Sequence, residues 1–104
     1  MVNARSLLLL AALLPFATQA AAHDHWINHG GFRSPITNES CCGDHDCFEI
    51  QETQVKPNGV GYDLAMPRET VPYPEVLPSK DGKYWRCRRS DGSRRCFFAP
   101  PMSQ

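Results

Sequence analysis

The chain has no excess charge of either sign, because 11 basic residues balance 11 acidic ones. That balance argues against a cytosolic DNA-binding protein. No apolar run is long enough to span a membrane: the one hydrophobic stretch, residues 7–17, falls short of the roughly 20 residues a crossing helix needs. A Gly-x-Ser-x-Gly elbow, a Cys-x-x-Cys pair and a complete calcium loop with its central glycine are all missing. Nothing therefore builds a serine hydrolase, a thioredoxin-like redox site or an EF-hand. No repeat or low-complexity domain is present, and 104 residues are too few for a nucleotide-binding α/β enzyme or a multidomain protein.

What is present begins with a leader. Residues 1–22 open on a basic stub, continue as a short apolar run and close on small residues, the layout of a secretory signal peptide. No cysteine lies near the cleavage zone to take a lipid, so a secreted or periplasmic protein is expected. Sixteen of those 22 residues are apolar, which leaves only 27 apolar residues among the remaining 82 and hence a thin core. Beyond the leader, residues 23–40 lack a clear period and read as an extended arm with turns. Residues 41–101 read as one small cysteine-containing β domain, and 102–104 as a tail.

All five cysteines, Cys41, Cys42, Cys47, Cys87 and Cys96, follow the leader, and export places them where disulfides persist. Domains with so little core commonly need such staples. Five is odd, so two bridges leave one thiol over. The stretch 84–98 reads as a hairpin with Asp91-Gly92 at its tip, the preferred two-residue turn. Counting back from it sets Arg89 opposite Arg94, Arg88 opposite Arg95, Cys87 opposite Cys96 and Trp85 opposite Phe98. The two cysteines then fall at a non-hydrogen-bonded pair, where side chains come closest and a bridge fits. Closing so short a loop is worth roughly 2–3 kcal/mol in the chain-entropy model. Arg86 faces Phe97 on the reverse side, within reach of a cation–π contact. For the second bridge Cys42 with Cys47 is favoured, leaving Cys41 as a free thiol or as the link in a disulfide-bonded dimer. The competing arrangement ties Cys41 or Cys42 to the hairpin and joins the two halves of the fold. Asp44 and Asp46 should raise a neighbouring thiol pKa, so structural use is favoured over a thiol redox role.

A strand is expected over residues 48–55, then a turn at Pro57-Asn58-Gly59, then a strand in which Val60, Tyr62 and Leu64 alternate with Gly61 and Asp63. Four prolines, Pro67, Pro72, Pro74 and Pro78, make the next segment an irregular edge connection. Charge divides unevenly along this path. Residues 23–55 hold six acids against Arg33, and residues 56–104 hold nine bases against five acids. Arg88, Arg89, Arg94 and Arg95 gather at the hairpin tip, where like charges face each other and cost stability unless something negative lies near. Either the acidic half neutralises them, or they form an anion-binding tip for an anionic polymer or membrane headgroups.

All four histidines lie in the acidic half. Cleavage after Ala22 or after Ala20 makes His25 or His23 the third residue of the new chain. A terminal amine, two backbone amides and a third-position imidazole supply four nitrogens in a square plane, which suits Cu(II) or Ni(II). Cleavage after Ala21 removes this arrangement.

Three segments carry a resemblance: Cys41-Cys42-Gly43-Asp44-His45-Asp46-Cys47, Ser79-Lys80-Asp81-Gly82-Lys83-Tyr84-Trp85-Arg86-Cys87 and Arg95-Cys96-Phe97-Phe98-Ala99-Pro100-Pro101. Over about residues 34–101 the chain resembles an uncharacterised family of small exported bacterial proteins with a Cys-Cys-Gly-x-x-Asp-Cys motif and a Cys-Phe-Phe-x-Pro-Pro end. The resemblance implies export and a compact cysteine-containing domain, and brings no catalytic residue with it. The expectation is a small all-β fold of antiparallel hairpins, loop-rich and disulfide-stabilised. Its expected role is that of a non-enzymatic binding or structural module, with Cu or Ni capture and thiol redox chemistry as alternatives.

Overall fold

Prolines and polar interruptions cut the chain into short strands. The computed structural model describes residues 25–41 and 46–102. In chain order it contains α1 (Trp26–His29), β1 (Cys47–Ile50), a 3-10 turn (Glu52–Gln54), β2 (Val55–Pro57), β3 (Gly61–Ala65), β4 (Arg68–Pro72), a second 3-10 turn (Tyr73–Glu75), β5 (Val76–Pro78), β6 (Tyr84–Arg88) and β7 (Arg94–Ala99). The expected leader, together with His23, Cys42 and His45, lies outside the described residues.

The strands form a four-stranded sheet in the order β1-β6-β7-β5 and a three-stranded sheet in the order β2-β3-β4. The fold is the expected small, disulfide-stabilised β domain; its pairings are antiparallel except for β5 with β7, which is parallel. The strand expected over 48–55 is in fact two. Ile50 and Val55 are its buried residues and belong to one core cluster. The intervening 3-10 turn is a corner that lets β1 join one sheet and β2 the other while both residues reach that core. The proline-rich segment is more regular than expected. It forms β4 and β5, and both lie at sheet edges, where a missing N–H costs no ladder bond.

The β2–β3 hairpin forms around Asn58, whose side-chain carbonyl accepts from the N–H groups of Val60 (2.7 Å) and Gly61 (3.0 Å). Gly61 is required by packing. A Cβ there would meet the Val71 carbonyl oxygen at 1.9 Å, so β3 and β4 approach only because the side chain is absent.

The four-stranded sheet is covered on both faces. On one face Ile50, Tyr84, Phe97 and Ala99 pack against Val55, Tyr62, Leu64 and Val71 of the other sheet. On the reverse face Cys87, Cys96 and Phe98 pack against Ile27 and Cys41, with Trp26 and Phe32 at the border. Strand β7 is therefore buried at four consecutive positions, 96–99, the continuous apolar run of a strand covered on both sides. Residues 25–40, part of the segment 23–40 expected as an extended arm, instead supply the third layer together with Cys41. Ile27 and Cys41 are fully buried, and Trp26 and Phe32 each meet the Phe98 ring edge-on, at 5.0 and 5.2 Å between centroids.

The β6–β7 hairpin departs from expectation in parity. Arg89 donates its N–H to the Ser93 carbonyl (2.8 Å), and its own carbonyl accepts from the Gly92 N–H (2.9 Å). The loop is thus Ser90-Asp91-Gly92, one residue longer than the expected turn, and Gly92 adopts φ 90° as the left-handed position of such a loop requires. Arg88 then lies opposite Arg94. Arg95 is accommodated in a bulge that restores Cys87 opposite Cys96, Arg86 opposite Phe97 and Trp85 opposite Phe98. The expected facing pairs Arg88 with Arg95 and Arg89 with Arg94 are not formed.

The disulfides follow from this shift and correct the expected pairing. Cys41 is bonded to Cys96, and Cys47 to Cys87. Neither Cys87 with Cys96 nor Cys42 with Cys47 is a bridge, and Cys41 is not free. The Arg88 N–H donates to the Asp46 carbonyl towards β1 (3.0 Å), whereas the Arg89 N–H points towards β7. Backbone groups alternate sides along a strand, so Cys87 directs its own towards β7. It therefore forms a wide, hydrogen-bonded pair with Cys96 and a close, non-hydrogen-bonded pair with Cys47. The close pair carries the bridge. Cys96 is met from above by Cys41, with 5.7 Å between Cα atoms. By count the fifth cysteine is Cys42.

Candidate functional site

The four arginines expected at the hairpin tip separate by partner. Arg89 forms a two-pronged pair with Glu39, donating from Nε at 3.0 Å and from Nη2 at shorter range. Arg94 donates to both oxygens of Glu75 at 3.0 Å and lies 3.0 Å from Glu69. Arg95, turned by its bulge, reaches Asp46 at 3.4 Å. Among the described residues Arg88 alone of the four meets an aromatic ring, its guanidinium standing 4.5 Å from the centroid of Phe48. Expected as one anion-binding tip, three of these arginines are instead engaged by carboxylates of the same chain. Glu39 and Asp46 come from the acidic half.

A half-buried ion-pair chain links the two sheets, with Arg86 as its buried member. Arg86 directs Nε and Nη2 at Glu69, at 2.7 and 3.2 Å, and gives a further hydrogen bond to the Gly92 carbonyl (3.2 Å). It does not stack on Phe97 as its register suggested, because the fork of two donors finds a carboxylate on β4. Glu69 thereby bridges Arg86 and Arg94. Burial pushes its carboxyl pKa up, and the hydrogen bonds from Arg86 and Arg94 outweigh burial and bring it below the ordinary value. Glu39 is held at about 2, first by its hydrogen bond from Arg89 and then by that from Thr37.

Asp81 explains the second resemblance motif. Its carboxylate accepts from Ser79 Oγ (2.9 Å), the Lys83 N–H (3.1 Å) and the Trp85 indole N–H (3.0 Å). The buried Trp26 indole N–H lies near the same carboxylate without hydrogen-bond geometry, adding to its electrostatic field. Burial raises the Asp81 pKa, and these donors together lower it further than burial raises it. A single acid thus fixes the Trp85 indole, which packs beneath residues 25–41.

His25 caps α1, its Nδ1 accepting from the Ile27 N–H at 3.4 Å, and its ring meets Trp85 edge-on at 4.2 Å. Its expected metal partner His23 lies outside the described residues. Among the described residues no three His, Cys, Asp or Glu side chains converge to hold an ion. No helix there is long and apolar enough to cross a membrane.

One surface was not foreseen. The three-stranded sheet covers only part of the face of β1 and β6, leaving a shallow cleft of about 190 Å3. Phe48, Met66, Pro67, Arg86 and Arg88 line it, with Glu49, Ile50 and Gln54 completing the lining. Phe48 is 46% and Met66 72% exposed; other large apolar side chains of the chain, such as Ile36 and Val60, are exposed too, and what sets these two apart is that they line one cleft together. The sequence signal was Phe48 itself, placed in a strand but not on a face. The Met66–Pro67 turn that forms the opposite wall is brought there only by sheet packing.

No protein-family model, curated protein or solved structure matches the chain.

Proposed function

We propose that this chain is an exported, disulfide-stapled recognition module that acts by binding a partner protein at its surface, with no chemistry of its own. The observation that carries the reading is the contrast between how its reactive groups are used and what is left outside. Four cysteines are consumed in two bridges, and Arg86, Arg89, Arg94 and Arg95 are engaged by carboxylates. Phe48, Met66 and Arg88, in contrast, line an open cleft. Export is supported by the signal-like residues 1–22, by the resemblance to small exported bacterial proteins, and by bridges of a kind that persist in oxidising compartments.

The test is photo-cross-linking of the exported chain within its own compartment, with the reactive group placed in turn at several exposed positions. A recognition module gives recurrent adducts with one partner, and these disappear when both bridges are replaced by serine. Adducts scattered over many proteins, or unchanged by loss of the bridges, would exclude the reading.

A further inference from the structure

We infer that the outer edge of β1, together with the Phe48–Met66–Pro67 cleft, docks an extended segment of a partner protein that carries an acidic side chain. The inference rests on the recognition-module reading and names the surface and the class of partner. Strand β1 ends the order β1-β6-β7-β5. Among the described residues β6 is its only strand partner. Because the Asp46 carbonyl accepts from the Arg88 N–H of β6, alternation turns the backbone groups of Phe48 and Ile50 inward and those of Cys47 and Glu49 outward. Such a row of outward N–H and C=O groups is a template for one more strand. The bridge from Cys47 to Cys87 ties this strand covalently to its neighbour, so the edge is held ready for a partner.

Side chain and charge select the occupant. A strand added to β1 would place alternate side chains beside Phe48, over the cleft. An apolar residue there would cover Phe48 and Met66. Arg88 extends from β6 across the Phe48 ring, which carries its charge to the edge strand. Of the tip arginines it is the one whose contact among the described residues is a ring and not a carboxylate. A guanidinium seated on an aromatic face keeps its in-plane donors available for a carboxylate. An extended chain supplying an apolar and an acidic side chain matches both features; a flat anionic polymer matches only the second.

The experiment selects a randomised displayed peptide library on the oxidised exported chain, then titrates the enriched peptides into isotope-labelled protein. The expected result is enrichment of β-branched residues flanking Asp or Glu, with amide shifts concentrated at Cys47–Ile50. Arg88→Gln should weaken binding about five-fold, the effect of one charge-assisted hydrogen bond at an exposed site. A proline placed at the centre of an enriched peptide should abolish binding, because it removes a ladder donor. No enrichment, enriched peptides without an acid, or shifts away from β1 would each overturn the inference. Recurrent cross-links to one partner through a different face would keep the recognition-module reading and reject this surface.

Discussion

Glu69 is the residue on which the two sheets depend electrostatically. Its carboxylate is shared by Arg86, whose side chain is only 9% exposed, and by Arg94. Glu69→Gln should leave a buried cation without its counter-charge and cost about 3 kcal/mol, the lower end for a broken buried pair, since Glu69 itself keeps 22% of its side-chain exposure. Urea unfolding at neutral pH measures this, and a loss below about 0.5 kcal/mol would put the pair among ordinary surface contacts. The same carboxylates set the acid limit. Glu39, Glu69 and Asp81 all have lowered folded pKa values, so their contribution is complete above the ordinary carboxyl range. It is lost as pH falls from about 4.5 towards the folded value of about 2 for Glu39. A Tm that declines across that window is expected, and a flat one would contradict the pairing. At the alkaline end burial raises the pKa of Tyr62 and of Tyr84 above 10.0. Their neutral forms therefore favour folding below pH 10, an advantage lost as pH climbs past it. An ultraviolet titration should show two tyrosines ionising late.

At the scale of elements the β6–β7 hairpin shows how one residue in a loop redirects covalent chemistry. The Asp91-Gly92 signal located the turn correctly, and the facing pairs of Cys87, Arg86 and Trp85 were legible from it. Loop length was not, because two- and three-residue loops share the same Gly signature, and an Arg95 bulge compensates the difference. Facing partners survive such a compensation; hydrogen-bond parity does not. Peptide mapping without reduction should therefore find Cys41 joined to Cys96 and Cys47 to Cys87. Recovery of a Cys87–Cys96 peptide would refute the parity argument. Strand pairing also sets the role of Gly61. Gly61→Ala forces β3 and β4 apart against the Val71 carbonyl and should cost about 2 kcal/mol, within the range for overpacking. Thermal unfolding at constant pH measures it.

Across the whole molecule the bridges are long-range, spanning sequence separations of 55 and 40 residues. In the chain-entropy model loops of that length contribute about 4 kcal/mol each, more than the local hairpin bridge expected from the sequence. They also fasten different layers. Cys41 pins the segment that carries Trp26 and Phe32 onto the sheet, while Cys47 pins the edge strand. Replacing Cys41 and Cys96 by serine should release the aromatic layer, seen as a red shift of tryptophan emission and loss of near-ultraviolet dichroism. The Cys47–Cys87 replacement should disturb β1 first. Identical spectra for the two variants would show that the layers do not unfold separately.

The β class, the turns at Asn58 and Asp91-Gly92 and the need for disulfides were determined by the sequence alone, because alternation, turn residues and cysteine number are local or compositional properties; the β3–β4 hairpin through Met66–Pro67 was not. The acidic and basic halves were legible too, and their meeting in Glu39–Arg89 and Asp46–Arg95 follows from complementary charge on one chain. Which cysteines bond, which arginine keeps its charge for the surface, and where Phe48 meets Met66 were decided only by tertiary structure. Each depends on strand parity or on contact between two sheets, and a shift of one residue reverses a side chain's face without altering the pattern from which the strand is read.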